Sequence, residues 1–110
     1  MTTDMLTSLL AQRVLGWAVA PDRFLLGDRR WLPRWKFQPV EKLEDAFRLL
    51  EEAAPLEYSL CGDDKGNIHV RVRIDGIAGE ARGTSKPLAI TYAVARALGI
   101  EVEGANGDAI

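Results

Sequence analysis

A chain of 110 residues with 47% hydrophobic and 27% charged residues has the size and make-up of one soluble globular domain and is too short for two. Its formal net charge of −2 provides no overall field that would draw it onto nucleic acid or an anionic membrane, so any such affinity has to come from a local patch. Cys61 is the only cysteine and His69 the only histidine, which excludes an internal disulfide and leaves a structural zinc site short of its usual ligands.

No apolar run approaches the roughly 18 residues a membrane span requires. The first residues also lack the basic start and cleavage site of a secretory signal, so a cytoplasmic location is expected.

In chain order, Thr3 is placed to cap a first helix in which Leu6, Leu9, Leu10 and Val14 share one face, with Gly16 ending it. Residues 17–38 show no sustained period and contain Pro21, Gly27 and Pro33. They are expected to form a long loop tethered by Trp17, Phe24, Trp31, Trp35 and Phe37. Each ring that packs would stabilise it by about 1.5–3 kcal/mol, which offsets part of the ordering cost. A second helix is expected after Pro39, with Val40, Leu43, Ala46, Phe47, Leu50 and Ala54 as its apolar stripe and Pro55 as its stop.

Residues 56–83 then read as three consecutive antiparallel strands. In the middle one, Ile68, Val70, Val72 and Ile74 alternate with His69, Arg71 and Arg73, the pattern of one dry and one wet face. Asp75-Gly76 supplies the positive φ angles of a tight hairpin. In the first strand Leu56, Tyr58 and Leu60 share the inner face, and in the third Ile77, Gly79 and Ala81 are small or compact, which lets a helix approach closely. Ser85 caps that last helix, Lys86 and Pro87 fill its first turn, Ile90, Ala93, Val94, Ala97 and Leu98 form its buried face, and Gly99 ends it. Residues 101–110 are expected to be a flexible acidic tail.

The fold class is therefore α+β, in the order α-α-β-β-β-α: a three-stranded antiparallel meander packed with helices, one domain over residues 1–100. The charged outer positions imply that one sheet face stays wet, with the helices mainly on the other and the Trp-rich segment wrapping an edge.

Chemistry is sparse. Gly76, Gly79 and Gly83 follow no phosphate-loop spacing, and the adjacent carboxylates Glu51-Glu52 and Asp63-Asp64 are not acid/base pairs. Cys61 with His69 would need hydrogen-bonding reach and a third group to act as a nucleophile pair, so the simpler expectation is a half-buried thiol and a surface imidazole, with no enzyme activity and no cofactor. The one patch that stands out is Arg29, Arg30, Trp31, Arg34, Trp35 and Lys36, because arginine and tryptophan dominate binding hot spots and also stack on bases. The plain alternative is that the rings pin the segment and the cations only solvate it.

Arg13-Val14-Leu15-Gly16-Trp17, Trp31-Leu32-Pro33, Leu43-Glu44-Asp45-Ala46-Phe47 and Lys86-Pro87-Leu88-Ala89-Ile90 resemble the phage ABA sandwich domain family. That resemblance implies a small phage or prophage protein in the host cell cytoplasm and offers no catalytic residues. Residues 46–98 are also similar in element order to the double-stranded RNA-binding domain, with Gly83-Thr84-Ser85-Lys86, Ala89 and Ala93 in its closing helix. That likeness makes Lys86 a candidate nucleic-acid contact. Pro87 and Ile90 stand where further lysines would help, and Asp63 and Asp64 would repel phosphate, so nucleic acid is the lesser expectation.

The function expected is a non-enzymatic accessory protein, monomer or homodimer, that binds a host protein or protein complex. An inhibitor of a bacterial defence system, anti-CRISPR or similar, is the form considered. A nucleic-acid-binding module is the alternative.

Overall fold

The computed structural model describes residues 2–27 and 29–102. It contains three α-helices and two three-stranded antiparallel sheets, an α+β fold as expected, with one sheet more than the sequence pattern announced.

The larger sheet follows the alternation closely. Strands β4 (Glu57–Gly62), β5 (Ile68–Ile74) and β6 (Ile77–Gly83) pair in sequence order. Val70 and Val72 lie at the centre, opposite Ala81 and Gly79, with both valines fully buried. The Asp75-Gly76 hairpin has both residues at positive φ, +51° and +81°, so Ile74 and Ile77 face each other across a two-residue turn. Helix α3 (Lys86–Ala97) begins at Ser85, whose hydroxyl accepts from the Leu88 amide at 3.3 Å. It lies across β5 and β6. The crossing is so close that a Cβ on Gly79 would run into the Ala93 carbonyl oxygen and the Ala97 amide, which is why the position is glycine.

Three inner-face expectations need correction. Ile77 is exposed, and so are Leu56 and Tyr58, at 77% and 55%. Ile77 and Tyr58 have the expected parity, but α3 packs mainly on β5 and β6, so the inner side of β4 extends beyond the helix. Leu56 lies before the strand, its amide bonded to the Arg73 carbonyl that faces Glu57, and so leaves the alternation. The outer face stays wet, as the charge pattern requires: Ser59, Cys61, Arg71, Glu80 and Arg82 are exposed.

Helix α1 (Thr3–Leu10) is capped by Thr2 rather than Thr3, through a 3.1 Å bond from the Met5 amide to the Thr2 hydroxyl. It runs on as a π-helical turn, Ala11–Leu15, that stops at Gly16 with φ +71°. Helix α2 spans Leu43–Glu52 and starts later than the stripe suggested. Residues 38–42 form a turn instead, held by the Asp45 carboxylate accepting from the Gln38 amide at 3.0 Å and by the buried Thr91 hydroxyl donating to the Pro39 carbonyl at 2.8 Å. Leu49 joins Ala46 and Leu50 in the core, while Leu43 and Ala54 are exposed.

The main correction concerns residues 17–38, which are not a loop. They contain β1 (Ala18–Val19), β2 (Arg23–Gly27) and β3 (Arg30–Pro33), which form the second sheet, and a short 3-10 turn, Arg34–Lys36. Nor do they wrap an edge of the larger sheet. Packing runs from β1 to the π-helical turn, from there to α2, from α2 to α3, and from α3 to β5 and β6. Of residues 101–110, only Glu101, exposed, and Val102, half-buried, are described, so the expected flexible tail falls largely outside the described residues. No helix among the described residues is long and apolar enough to cross a membrane.

Candidate partner-binding surface

The small sheet has a sealed side and an open side. On the sealed side Trp17, Phe24 and Phe37 meet with ring centroids 5.1–5.7 Å apart, and all three are buried. Aromatic rings at this spacing gain from edge-to-face contact beyond the area they remove from water. Arg48 of α2 stacks on Trp17 at 4.9 Å, joining this cluster to the helical layer.

The open side follows from the register. Leu25 pairs with Trp31 and with Ala18, and Arg23 pairs with Pro33, so these side chains share the face opposite Phe24. Trp31 is 57% exposed, with Leu25 and Ala18 exposed beside it. The Arg23 guanidinium lies 5.3 Å over the Trp31 ring while bonding Asp22 through two 3.1 Å contacts. That pairing holds the Asp22 carboxyl below the usual carboxylate range and pushes the Arg23 guanidinium up, chiefly through the hydrogen bond between them. Arg29 and Arg30, both exposed, stand at the β2–β3 turn. Arg29 is in the left-handed region, φ +65°, where a residue with a Cβ is strained.

The five rings named from sequence therefore divide. Trp17, Phe24 and Phe37 are anchors, whereas Trp31 and Trp35 are exposed. Trp35 is 63% exposed, with Lys36 5.3 Å over its ring. It borders a groove of about 330 Å³ that also involves Thr7, Arg34, Gln38 and Glu41, on the side of the small sheet where α1 begins.

Arg34 borders that groove, but its guanidinium is committed within the fold. Half-buried, it donates to the Ala20 carbonyl at 3.3 Å, the Asp4 carbonyl at 3.1 Å and the Ser8 hydroxyl at 2.7 Å, and it stacks 4.8 Å over Phe24. It bolts the small sheet to α1. In the sequence it is indistinguishable from Arg29 and Arg30, because all three are arginines in one stretch. Arg23 and Leu25 belong to the surface without a clear signal in the sequence, where Arg23-Phe24-Leu25 is only a three-residue alternation. Leu26 and Gly27 break that pattern before it is long enough to read as a strand.

No protein-family model matches this chain, and no curated protein matches it in sequence. Its fold is similar to that of a phage protein. That protein, from Bacillus cereus ATCC 14579, has a crystal structure at 2.0 Å that superposes with a TM-score of 0.76 over 94% of this chain and 93% of that chain, at 19% identity. At that identity the likeness shows the fold alone.

The remaining candidate residues lie on the larger sheet and at the start of α3. Cys61 and His69 are cross-strand partners on the outer face of the larger sheet, and Cys61 is exposed. The imidazole Nε2 lies 3.2 Å from the Glu80 carboxylate, but at an angle too poor for a hydrogen bond, so the contact is electrostatic and depends on a protonated imidazole. Among the described residues no three histidine, cysteine or carboxylate groups converge as a metal site. Lys86 is exposed at the start of α3. In the β4–β5 loop Asp63 accepts from the Asn67 and Lys65 amides at 2.9 and 2.8 Å, and these bonds hold its carboxyl below the usual range. The loop that would have to approach phosphate thus keeps a fixed negative charge.

Proposed function

We propose that this chain is a non-enzymatic phage or prophage accessory protein that acts by binding a host protein through the open side of its small sheet. The observation that carries the reading is the division of the aromatic residues. Three rings and Arg34 make a rigid base, and on the opposite side Trp31 stands beside Leu25 under Arg23, with Arg29 and Arg30 at the turn. An exposed indole on a rigid strand, ringed by guanidinium groups, has the composition of an interface hot spot before its partner arrives. The surrounding cations suit a partner whose contact patch is apolar with a carboxylate rim. The fold shared with a phage protein supports a phage or prophage origin, and a component of a bacterial defence system is the host partner we place first.

The second reading, nucleic-acid binding, would use Lys86 with the basic segment that carries Arg29, Arg30 and Lys36. The anchored negative charge of Asp63 weighs against it. The two readings separate in one experiment. Immobilised wild-type protein should capture a host protein that Trp31→Ala and Arg30→Glu variants both lose and that Lys86→Ala retains. Retention on heparin or duplex RNA that falls with salt and with Lys86→Ala would instead establish the nucleic-acid reading and overturn the first.

A further inference from the structure

Strand β4 is an edge of the larger sheet, and its backbone phase can be worked out. The Asp63 amide donates to the Asn67 carbonyl at 2.9 Å, immediately beyond the paired residues Gly62 and Ile68. Antiparallel pairs alternate between hydrogen-bonded and non-hydrogen-bonded. Cys61, Ser59 and Glu57 therefore point their backbone groups at β5, and Tyr58, Leu60 and Gly62 point theirs at the free edge. Carried across β5, the same phase requires Glu80 of β6 to aim its carbonyl away from the sheet. There the Arg96 guanidinium of α3 donates to it.

The two edges of this sheet are thus treated differently. The β6 edge is covered at its midpoint by Arg96. At the β4 edge, among the described residues, no hydrogen bond from outside the sheet reaches the backbone of Tyr58 or Leu60. Within Glu57–Gly62 there is no lysine or proline and the register does not shift. The only blunting lies just before the strand, where Pro55 is followed by the Leu56 amide turned back onto the Arg73 carbonyl at 2.9 Å. Tyr58 lies exposed on the inner side just beyond the end of α3's cover, with Leu60 half-buried beside it and Leu56 exposed at the strand's start.

We infer that β4 pairs antiparallel with β4 of a second copy of this chain about a two-fold axis at Ser59, joining the two three-stranded sheets into one of six strands. Charge selects this register. Hydrogen-bonded pairs across the new seam must come from Tyr58, Leu60 and Gly62, which allows an axis at Tyr58, Ser59, Leu60 or Cys61. An axis at Cys61 would set Ser59 against the partner's Asp63 and run Tyr58 into the partner's turn at residues 63–67. An axis at Leu60 sets Glu57 against the partner's Asp63, and one at Tyr58 brings the two Glu57 carboxylates to diagonal positions and spends the end of the strand on Pro55.

The Ser59 axis opposes Tyr58 to the partner's Leu60 on the inner side. On the outer side it places Glu57, already 3.3 Å from its own Arg73, against the partner's Cys61, with the partner's His69 next along the row. Arg71, which pairs with Ser59, stays about 14 Å from its symmetry mate, three strand spacings away. A six-residue edge strand with two apolar side chains per copy is a small interface, so the dimer belongs to the weak, micromolar class.

The test uses the whole chain. Sedimentation over a wide concentration range should show the wild type passing from monomer to dimer. Tyr58→Lys combined with Leu60→Lys should stay monomeric throughout with unchanged circular dichroism. Because an on-axis residue in a non-hydrogen-bonded pair has the Cα separation a disulfide needs, Ser59→Cys in a Cys61→Ser background should form a covalent dimer on mild oxidation, and Cys61→Ser alone should not. A wild type that stays monomeric at every concentration would overturn the inference. So would a dimer that survives the double lysine change, a Ser59→Cys variant that fails to cross-link, or a host protein captured through β4 by a monomer. Trp31→Ala should dimerise normally, which keeps this result separate from the binding reading of the small sheet.

Discussion

The two sheets of this protein have the same number of strands and the same up-down topology, yet they are held by different physics. The larger sheet is specified along its length. Four apolar residues on β5 alternate with charged ones, a two-residue turn fixes the next pairing, and α3 seals the inner side against Gly79 and Ala81. The smaller sheet has strands as short as two residues and a register shift between Leu25 and Gly27. It is ordered by a few long-range anchors: three rings and one arginine. A sheet held at points has side chains to spare, and that is where the exposed tryptophans are found.

Removing an anchor should break the smaller sheet without directly touching the larger one. Phe24 is fully buried between Trp17, Phe37 and the Arg34 guanidinium. Phe24→Ala should cost about 3–5 kcal/mol in chemical denaturation, a large share of the roughly 5–15 kcal/mol a domain of this size commands. Hydrogen exchange should accelerate at β2 and β3 amides before β5 amides. Equal loss of protection in both sheets would mean that they unfold as one unit and that the contrast drawn here is only geometric.

The matching change in the larger sheet is Gly79→Ala, where the new methyl meets the α3 backbone rather than a movable side chain. The helix has to lift, and the expected loss is about 2–3 kcal/mol, in the range of overpacked cores. The probe to follow is exchange at β5 and β6. Ala81→Gly nearby should cost less, about 1 kcal/mol, because it removes a buried methyl and loosens a strand.

What could be read in advance follows the same line. The larger sheet and α3 were legible because a period of two and a period of 3.6 each ran for several residues, with Asp75-Gly76 and Ser85 as punctuation. The smaller sheet was not, because its longest strand has five residues and its order comes from residues far away in sequence. Arg34 bonds Ser8 from 26 positions off. The candidate surface was half legible: composition located the segment, but composition cannot tell Arg34, which is structural, from Arg30, which is exposed. The parity of Tyr58 on β4 points to the core, and only the reach of α3 shows that it is left uncovered.

Arg34 tests that distinction. Arg34→Ala removes three hydrogen bonds from a charged donor and should cost about 2 kcal/mol, while Arg30→Ala should stay within about 0.5 kcal/mol of the wild type, as exposed substitutions do. If the two variants denature alike, Arg34 does not bolt the small sheet to α1.

The smallest effect has the opposite sign and bears most directly on function. Arg29 sits at φ +65° at the exposed β2–β3 turn, a conformation that costs a residue with a Cβ about 1–2 kcal/mol. Glycine would relieve that strain but would free the unfolded chain at a cost of about 0.5–1 kcal/mol. Arg29→Gly should therefore raise stability slightly, by about 0.5 kcal/mol, the difference between those two terms. If the guanidinium is part of the partner contact, the same change should weaken capture of the host protein that Trp31→Ala abolishes. Higher stability together with weaker binding would mean that the strained arginine is kept for its side chain and not for the turn. Higher stability with unchanged binding would confine the contact to Trp31, Leu25 and Arg23 and leave Arg29 as an ordinary turn residue.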